Sequence, residues 1–429
     1  MFFRKKYMKI ICLAFILIMF IFNNLHVFAD DLENDIDNSS KTAIDIQAVS
    51  TDIKDSKLDL NSRSCVVIDR LSQTILYGKN EKKKVKMAST TKIMTAIVVL
   101  ENYTTNKTIE VSKKAANTGG SRLGLKTGDK ISILDLLYGL LLCSGNDAAV
   151  ALAETVGGSI EGFSELMNKK ANEVGLSNTH FESPHGLDSD GHYTTAYELA
   201  ILSNYALENA TFKNIVGTKN YTVTINGYPK ALSNTNELLG NLNGVYGIKT
   251  GFTNGANRCL VTACKRGNLD IICVVLGADT KNFRTKDSIK LIEYCFKNYE
   301  YYNVKEFANK YLEEWKNTHH NFFSIKKGIS NDLEIKIESS IDKNPVLPIR
   351  KDLISTIKAK ATMMSQMPAP VNKNELVGKL KITSENDIIA EFDLVSNTNI
   401  RKNNIFDYML EFFKNYSDRL ENFLKTKET

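Results

Sequence analysis

The chain has 429 residues, more than one average domain, and its 43% hydrophobic and 24% charged residues are those of a globular protein able to bury a core. The formal charge is +6, but Arg4, Lys5, Lys6 and Lys9 lie in a leader-like segment, which leaves about +2 for the rest. That balance, with no basic stripe interleaved with aromatic residues, excludes a nucleic-acid partner. Seven cysteines without a C-x-x-C pair and six scattered histidines exclude a zinc-type centre, so no metal and no cofactor is expected.

Residues 1–29 have the parts of a secretory signal: a charged start, an apolar core from Ile10 to Phe22 that is short for a membrane span, and compact residues at Val27-Phe28-Ala29. Whether this segment is cleaved or kept as an anchor, the bulk of the chain is expected outside the cytoplasmic membrane. Residues 30–57 are polar, acidic and free of aromatics, and read as a disordered linker.

From residue 58 to 301 the pattern is that of one mixed unit. Cys65-Val66-Val67-Ile68 and Thr74-Ile75-Leu76-Tyr77 read as a strand pair. A basic tip, Lys79 to Lys86, leads into a helix expected from Ser89 to about Asn102. Ile131 to Val156 reads as two helical pieces broken at Ser144-Gly145-Asn146-Asp147, where glycine weakens a helix and Asn and Asp suit caps. Ser159 to Val174 and Tyr197 to Ala206 are helical, with a Gly/Pro/Asp/His loop from Phe181 to Thr195 between them. Strand-like runs follow at Tyr221–Ile225, Val245–Lys249, Cys259–Cys264 and Leu269–Leu276, then a helix at Ser288–Asn298. The fold class is α/β of the α+β type, an antiparallel sheet flanked by helices.

Residues 302–401 carry short alternating runs, Leu333–Ile337, Leu353–Ala359, Leu376–Ile382 and Ile388–Leu394, and indicate a small all-β domain. In residues 402–429, Ile405, Met409, Phe412, Phe413, Tyr416 and Leu420 share one helical face and Asp407, Glu411, Lys414 and Asp418 the other. The charges exclude a comfortable transmembrane span. Two readings stay open, interfacial membrane binding and packing on the β domain.

Ser89 and Lys92 sit three residues apart at the start of the apolar run Ile93-Met94-Thr95-Ala96, so one helical face would present hydroxyl and amine together. Burial lowers an ammonium pKa, and a lysine that can be neutral is a general base for a serine nucleophile. Ser-x-x-Lys alone is weak, since Ser324/Lys327, Ser340/Lys343 and Ser355/Lys358 also fit. Ser144-Gly145-Asn146 supplies S-x-N at a helix break, and Lys249-Thr250-Gly251 supplies K-T-G at the end of a strand. A second S-x-N, Ser384-Glu385-Asn386, reads as a turn, as does a second K-T-G at Lys126-Thr127-Gly128, which comes too early in the chain. The ordered triple is the signature of active-site serine penicillin-recognising enzymes.

On these motifs, with Ser183-Pro184-His185-Gly186-Leu187-Asp188, Met367-Pro368-Ala369-Pro370-Val371 and Val377-Gly378-Lys379-Leu380, the chain resembles the low-molecular-mass penicillin-binding proteins that act as D-alanyl-D-alanine carboxypeptidases. The resemblance implies the penicillin-binding-protein/β-lactamase-like transpeptidase fold, a peptidoglycan stem-peptide substrate, and β-lactams as covalent inhibitors. It implies Ser89 as nucleophile, Lys92 as base and Ser144 as proton relay. Asn146 would hold the peptide amide, and Lys249, Thr250 and Gly251 would receive the substrate carboxylate. The backbone N–H groups of Ser89 and Phe252 would form the oxyanion hole, with Arg284 assisting the carboxylate. It also implies a C-terminal helix on the outer face of the cytoplasmic membrane. Ser72 stands where relatives often carry glycine. Cys143 has two readings, a core thiol or a modifiable neighbour of the site. His185 has two, a loop clamp or a triad member with Asp188, and Tyr246 is a core residue or a cleft wall. A serine β-lactamase and a catalytically silent wall-binding protein are the competing functions; glycine in S-x-N and the added β domain weigh against the first, and the intact triple against the second.

Overall fold

The computed structural model describes residues 58–319, 322–338, 346–385 and 387–425. The expected leader and linker lie outside the described residues. The chain divides into two compact units, the first ending at Asn298 and the second beginning at Tyr299.

The first unit opens with β1 (Ser64–Asp69) and β2 (Ile75–Lys79), an antiparallel hairpin. At its turn the Asp69 carboxylate accepts from both the backbone N–H and the hydroxyl of Ser72, at 2.7 and 2.6 Å, so the serine here helps to hold the turn. A 3-10 turn at Ala88–Thr91 runs into α1 (Lys92–Asn102). The helix expected from Ser89 therefore begins three residues later. Next come β3 (Thr108–Glu110), α2 (Lys113–Ala116), β4 (Lys130–Ser132), α3 (Ile133–Leu141), α4 (Asn146–Gly157), α5 (Ile160–Val174), α6 (Ala196–Leu207) and α7 (Ala210–Val216). Side-chain caps start α2, α3, α5, α6 and α7 at Ser112, Ser132, Ser159, Thr195 and Asn209, each contributing about 1 kcal/mol. Then follow β5 (Asn220–Ile225), β6 (Tyr228–Ser233), β7 (Val245–Thr253), β8 (Asn257–Arg266), β9 (Leu269–Ala278) and α8 (Lys281–Asn298).

The main sheet has the order β2-β1-β9-β8-β7 and is antiparallel throughout. Side chains alternate between its faces. Val66, Ile68, Val261, Ile272 and Val274 join the large core built with α1 and α3 to α6. The intervening Val67, Leu260, Ile271, Cys273 and Val275 are just as buried on the other face, where α8 packs on β8 and β9. With both faces covered, these strands read as unbroken apolar runs. The helix α1 lies inside the large core, with Ile93, Met94 and Ile97 at most 1% exposed, which makes it a fixed platform for its first residue, Lys92.

In the second unit, β10 (Tyr299–Asn303), α9 (Val304–Thr318), β11 (Ser324–Lys326), β12 (Ile335–Ile337), β13 (Val346–Arg350), β14 (Ile357–Met363), β15 (Gln366–Pro368), β16 (Leu376–Ser384) and β17 (Asp387–Ser396) precede α10 (Ile405–Lys425). The β12-β17-β16-β14 sheet is antiparallel and carries Ile335, Val377, Leu380 and Leu394 into the unit's core. This β domain also holds a helix that the strand pattern did not mark: α9 buries Val304, Ala308 and Leu312 at four-residue spacing behind an Asn303 cap. The run expected as a strand from Leu353 begins instead as a 3-10 turn, Lys351–Thr356, closed by Thr356 Oγ1 donating to Leu353 O at 2.7 Å. On α10 the apolar face is open: Phe406, Leu410, Phe412 and Phe413 are 60–69% exposed, which is not the packed arrangement. No described helix is long and apolar enough to cross a membrane.

Candidate active site

Ser89 lies in the 3-10 turn, where residues i and i+3 eclipse one another more closely than in an α-helix. Lys92, the i+3 residue, places Nζ 2.6 Å from Ser89 Oγ, 2.7 Å from Asn146 Oδ1 and 3.0 Å from the His185 carbonyl. Ser89 is 2% exposed, and Lys92 and Asn146 are fully buried. Asn146 Nδ2 donates to Gly119 O at 2.8 Å, which fixes its oxygen toward the lysine. Among these three groups the Ser89 hydroxyl is the one with a proton to give. A neutral Lys92 amine can accept that proton on its lone pair.

The loop before α4 brings Asn146 to this point and carries Ser144, 5% exposed, two residues before it. Gly145 N donates to Gly139 O and Asn146 N to Ser121 O, and Ser144 is held at φ +61°. Ala88, beside Ser89, is also left-handed, at φ +49°. Such conformations cost of order 1–3 kcal/mol and persist where surrounding bonds over-determine them. Asp147 braces the chain close to Ser144. Its buried carboxylate accepts from the N–H groups of Leu123, Gly124, Leu125 and Ala148 at 2.7–2.9 Å and so ties the 119–125 loop to the start of α4.

The K-T-G segment lies on β7, an edge strand, paired residue by residue with β8. Lys249 and Thr250 are 1% and 2% exposed. A Cβ on Gly251 would stand 3.1 Å from the backbone nitrogens of both Ser89 and Thr90, so glycine lets the strand press against the serine turn. Phe252, next on the strand, stacks on the Arg258 guanidinium at 3.8 Å. Arg284, on α8, is completely buried, with Nη2 3.3 Å from Glu237 Oε1. Burial would raise the Glu237 carboxyl, but Arg284, Thr285 and Lys281 together outweigh it and hold it below the usual carboxylate range.

Several contributing residues had no signal in the sequence. Thr235 Oγ1 lies 2.6 Å from Thr250 Oγ1, Asn236 Nδ2 donates to Gly247 O, and Glu237 meets Arg284, so one short strap touches the strand twice and then the arginine. His192 Nδ1 accepts the Glu182 N–H, so its Nε2–H donates to Thr91 Oγ1 at 2.7 Å, inside the serine turn. Asp188 clamps the end of β7 through Thr253 Oγ1 and Gly255 N. The only hint was that Asp188 and His185 fall in one motif.

The open alternatives resolve on geometry. With its carboxylate oxygens on Thr253 and Gly255, Asp188 is not the partner of a His185 triad. His185 Nδ1 accepts from Leu187 N within its own loop, and burial, then the Lys92 charge, push the imidazole down to about 3. Cys143 donates to Gly139 O, and burial pushes its thiol up to about 11, as an inert thiol requires. Tyr246 donates to Asp270 and accepts from Arg70 as part of a half-buried network, so it is not a cleft wall. Among the decoys, Ser324 is an exposed strand residue, Ser355 lies in the 3-10 turn of the second unit, and Ser340 falls outside the described residues.

A serine whose lysine neighbour is held by S-x-N and flanked by a K-T-G edge strand belongs to the penicillin-recognising serine enzymes. The family described as D-alanyl-D-alanine carboxypeptidase matches residues 50–280, and that described as Penicillin-binding protein 5, C-terminal domain matches residues 323–402. D-alanyl-D-alanine carboxypeptidase DacF of Bacillus subtilis (strain 168) is 33% identical over 353 residues, 81% of this chain and 88% of its own length. A D-alanyl-D-alanine carboxypeptidase of Streptomyces sp. (strain K15) is 37% identical over 241 residues, 52% of this chain and 83% of its own. The crystal structure of the D-alanyl-D-alanine carboxypeptidase DacD from Francisella tularensis aligns with TM-score 0.68 at 26% identity, covering 86% of this chain and 99% of that one. The chain belongs to the D-alanyl-D-alanine carboxypeptidase family.

Proposed function

We propose that the chain is a serine-type D-Ala-D-Ala carboxypeptidase, removing the terminal D-alanine from peptidoglycan stem pentapeptides through an acyl-enzyme on Ser89. The observation that carries this reading is the buried Lys92 amine 2.6 Å from Ser89 Oγ and also bonded to Asn146 and the His185 carbonyl. Lys92 takes the serine proton as Oγ bonds to the carbonyl carbon between the two D-alanines. The oxyanion sits between the backbone N–H groups of Ser89 and Phe252, a contribution of about 3–4 kcal/mol per donor in other enzymes. The C–N bond then breaks, and the proton passes by way of Ser144 to the leaving amine. Water attacks the ester with Lys92 again as base, and Ser89 recovers its proton. Asn146 holds the substrate amide. Lys249 and Thr250 receive the terminal carboxylate, with Gly251 keeping the strand close. Arg284 assists from behind, set by Glu237. Protein groups make every proton transfer, so the cycle needs no cofactor.

A β-lactam presents the same carboxylate and a strained acyl group, and Ser89 acylation should persist. Mass spectrometry after incubation with a stem pentapeptide, and separately with a penicillin, tests the reading. The expected results are loss of one D-alanine and an adduct on the peptide that contains Ser89. Absence of D-alanine release, or rapid turnover of the penicillin, overturns it.

The same reading places the mature protein outside the cytoplasmic membrane, exported by residues 1–29, and on the membrane surface through α10. Supporting it are the signal-like composition and the open apolar face of α10, whose Asp407 is tied back to Arg401 at 2.5 Å. Removing residues 404–429 should shift the protein from the membrane to the soluble fraction; unchanged partition of a cleaved form overturns this part.

A further inference from the structure

Thr235 stands between two of the three motifs. Its backbone N–H donates to Leu142 O at 3.1 Å, two residues before Ser144, and its hydroxyl oxygen lies 2.6 Å from Thr250 Oγ1 of the K-T-G strand. The residues on either side leave it little freedom. Asn234 donates its backbone N–H to Lys219 O at 2.8 Å and its side-chain amide to Val216 O and Thr218 O. Asn236, 3% exposed, donates through Nδ2 to Gly247 O at 3.0 Å, and its Oδ1 accepts from Leu238 N. A backbone tied down on both sides therefore aims the Thr235 hydroxyl at Thr250.

A hydroxyl has one proton to give and two lone pairs. At 2.6 Å one of these two hydroxyls donates to the other. Among the described residues neither has another hydrogen-bond partner, so the pair shares one proton and keeps the second to offer. The direction of the bond decides where that second proton lies. If Thr250 donates, its oxygen turns only lone pairs to an incoming carboxylate, and the two repel. If Thr235 donates, the Thr250 proton is left for the carboxylate, and the Thr250 oxygen, already accepting, becomes the stronger donor. The bond it then gives is charge-assisted, the stronger kind. A substrate carboxylate selects this second direction. Without the Thr235 donor, the Thr250 hydroxyl turns about its C–O bond and its proton has no fixed aim.

We propose that Thr235 is a positioning residue for the carboxylate subsite: by donating to Thr250 it turns the Thr250 proton toward the terminal carboxylate of the substrate. The inference rests on the proposed reading of Thr250 as a receiver of that carboxylate. Thr235 itself stays one hydroxyl away from the substrate, and no covalent bond changes at it.

The full chain and its variants are acylated with benzylpenicillin, which carries the carboxylate, and with benzylpenicillin methyl ester, which does not. Stopped flow gives the two rates, and the mass of the Ser89 peptide identifies the adduct. Thr235→Val keeps the side-chain shape and removes the hydroxyl. It should lower the ratio of the two rates about tenfold, the scale of one hydrogen bond. For a stem pentapeptide, KM should rise by more than kcat falls. Thr235→Ser should restore both readings, and Thr235→Ala should repeat the loss. In a Thr250→Val background, Thr235→Val should change the ratio by less than about twofold, because the proton it aims is gone. Unfolding temperatures report that each variant is folded. Four results overturn the inference. The ratio in Thr235→Val stays at the wild-type value. Both rates fall by the same factor. Serine fails to restore the ratio. The full tenfold effect persists in the Thr250→Val background. A wild type that forms no adduct with benzylpenicillin overturns the peptidase reading and the inference with it, which is a different failure from those four.

Discussion

Lys126-Thr127-Gly128 and Lys249-Thr250-Gly251 are the same tripeptide twice in one unit, and their surroundings differ at every atom. The first is an exposed turn ahead of β4, where Lys126 N–H donates to Asp129 and Gly128 takes φ +85° with open space around its Cα. The second lies on β7, bonded to β8, with both long side chains buried and Gly251 pressed on the amides of Ser89 and Thr90. Glycine does opposite work in the two places. At 128 it is needed for its backbone angle, and at 251 for the space its missing Cβ leaves. The side-chain chemistry of a lysine and a threonine comes with the tripeptide, but a site comes only with the strand that aims it.

Substitutions can break that comparison. The largest effect belongs to the centre both copies are measured against: Ser89→Ala should lower D-alanine release by at least about 10⁴-fold, as removal of a nucleophile does elsewhere. Retained release would move the nucleophile away from Ser89. Lys249→Ala should lower kcat/KM for the peptide by about 10²–10³-fold, the loss expected on truncating a buried charged partner, while Lys126→Ala should stay within about twofold. Equal effects from the two lysines would erase the distinction drawn between the turns. Gly251→Ala should cost about 10²-fold in acylation by a penicillin, since the strand must shift from the serine turn. Gly128→Ala should leave acylation unchanged and lower unfolding stability by about 1 kcal/mol through its left-handed angle. Stopped-flow acylation and denaturant unfolding separate the two glycines.

What the sequence could and could not reveal follows the same line. Ser89, Lys92, Ser144, Asn146 and Lys249 stand out as candidates because their chemistry sits in short motifs in a fixed order, and the inner strands β1, β8 and β9 were legible because both faces are buried. The onset of α1 was misplaced by three residues, since a 3-10 turn and an α-helix share their apolar pattern until the hydrogen bonds are seen. Helix α9 was missed because its buried face is only Val304, Ala308 and Leu312 among charged residues. Thr235, Glu237, Asp147 and His192 were invisible as site residues: each acts through a bond to something distant in the chain. His192, for one, reaches across 101 positions to Thr91.

That long-range bond carries the smallest and most local effect, and it again separates the two turns. Burial, with the His180 charge, outweighs Glu182 and Asp188 and pushes the His192 imidazole from 6.5 down to about 4. In the unfolded chain it takes up a proton near 6.5, so between the two values the unfolded state binds more protons. The stability it supports is therefore full above pH 6.5 and is lost as pH falls through about 4, up to roughly 3 kcal/mol. Protonation also forces Nδ1 to give up the Glu182 amide, and with it the orientation of Nε2 toward Thr91, whose own hydroxyl proton goes to Ala88 O beside Ser89. Acid should therefore loosen the serine turn before it touches the Lys126 turn, which has no histidine among its partners. Amide exchange at pH 7 and at pH 4.5 should show protection falling at residues 88–92 and holding at 126–129. In His192→Gln, which keeps a side-chain donor without the titration, the pH dependence of unfolding should flatten over this window. An unchanged slope in that variant would assign the acid sensitivity elsewhere and leave the two turns alike in their response to pH.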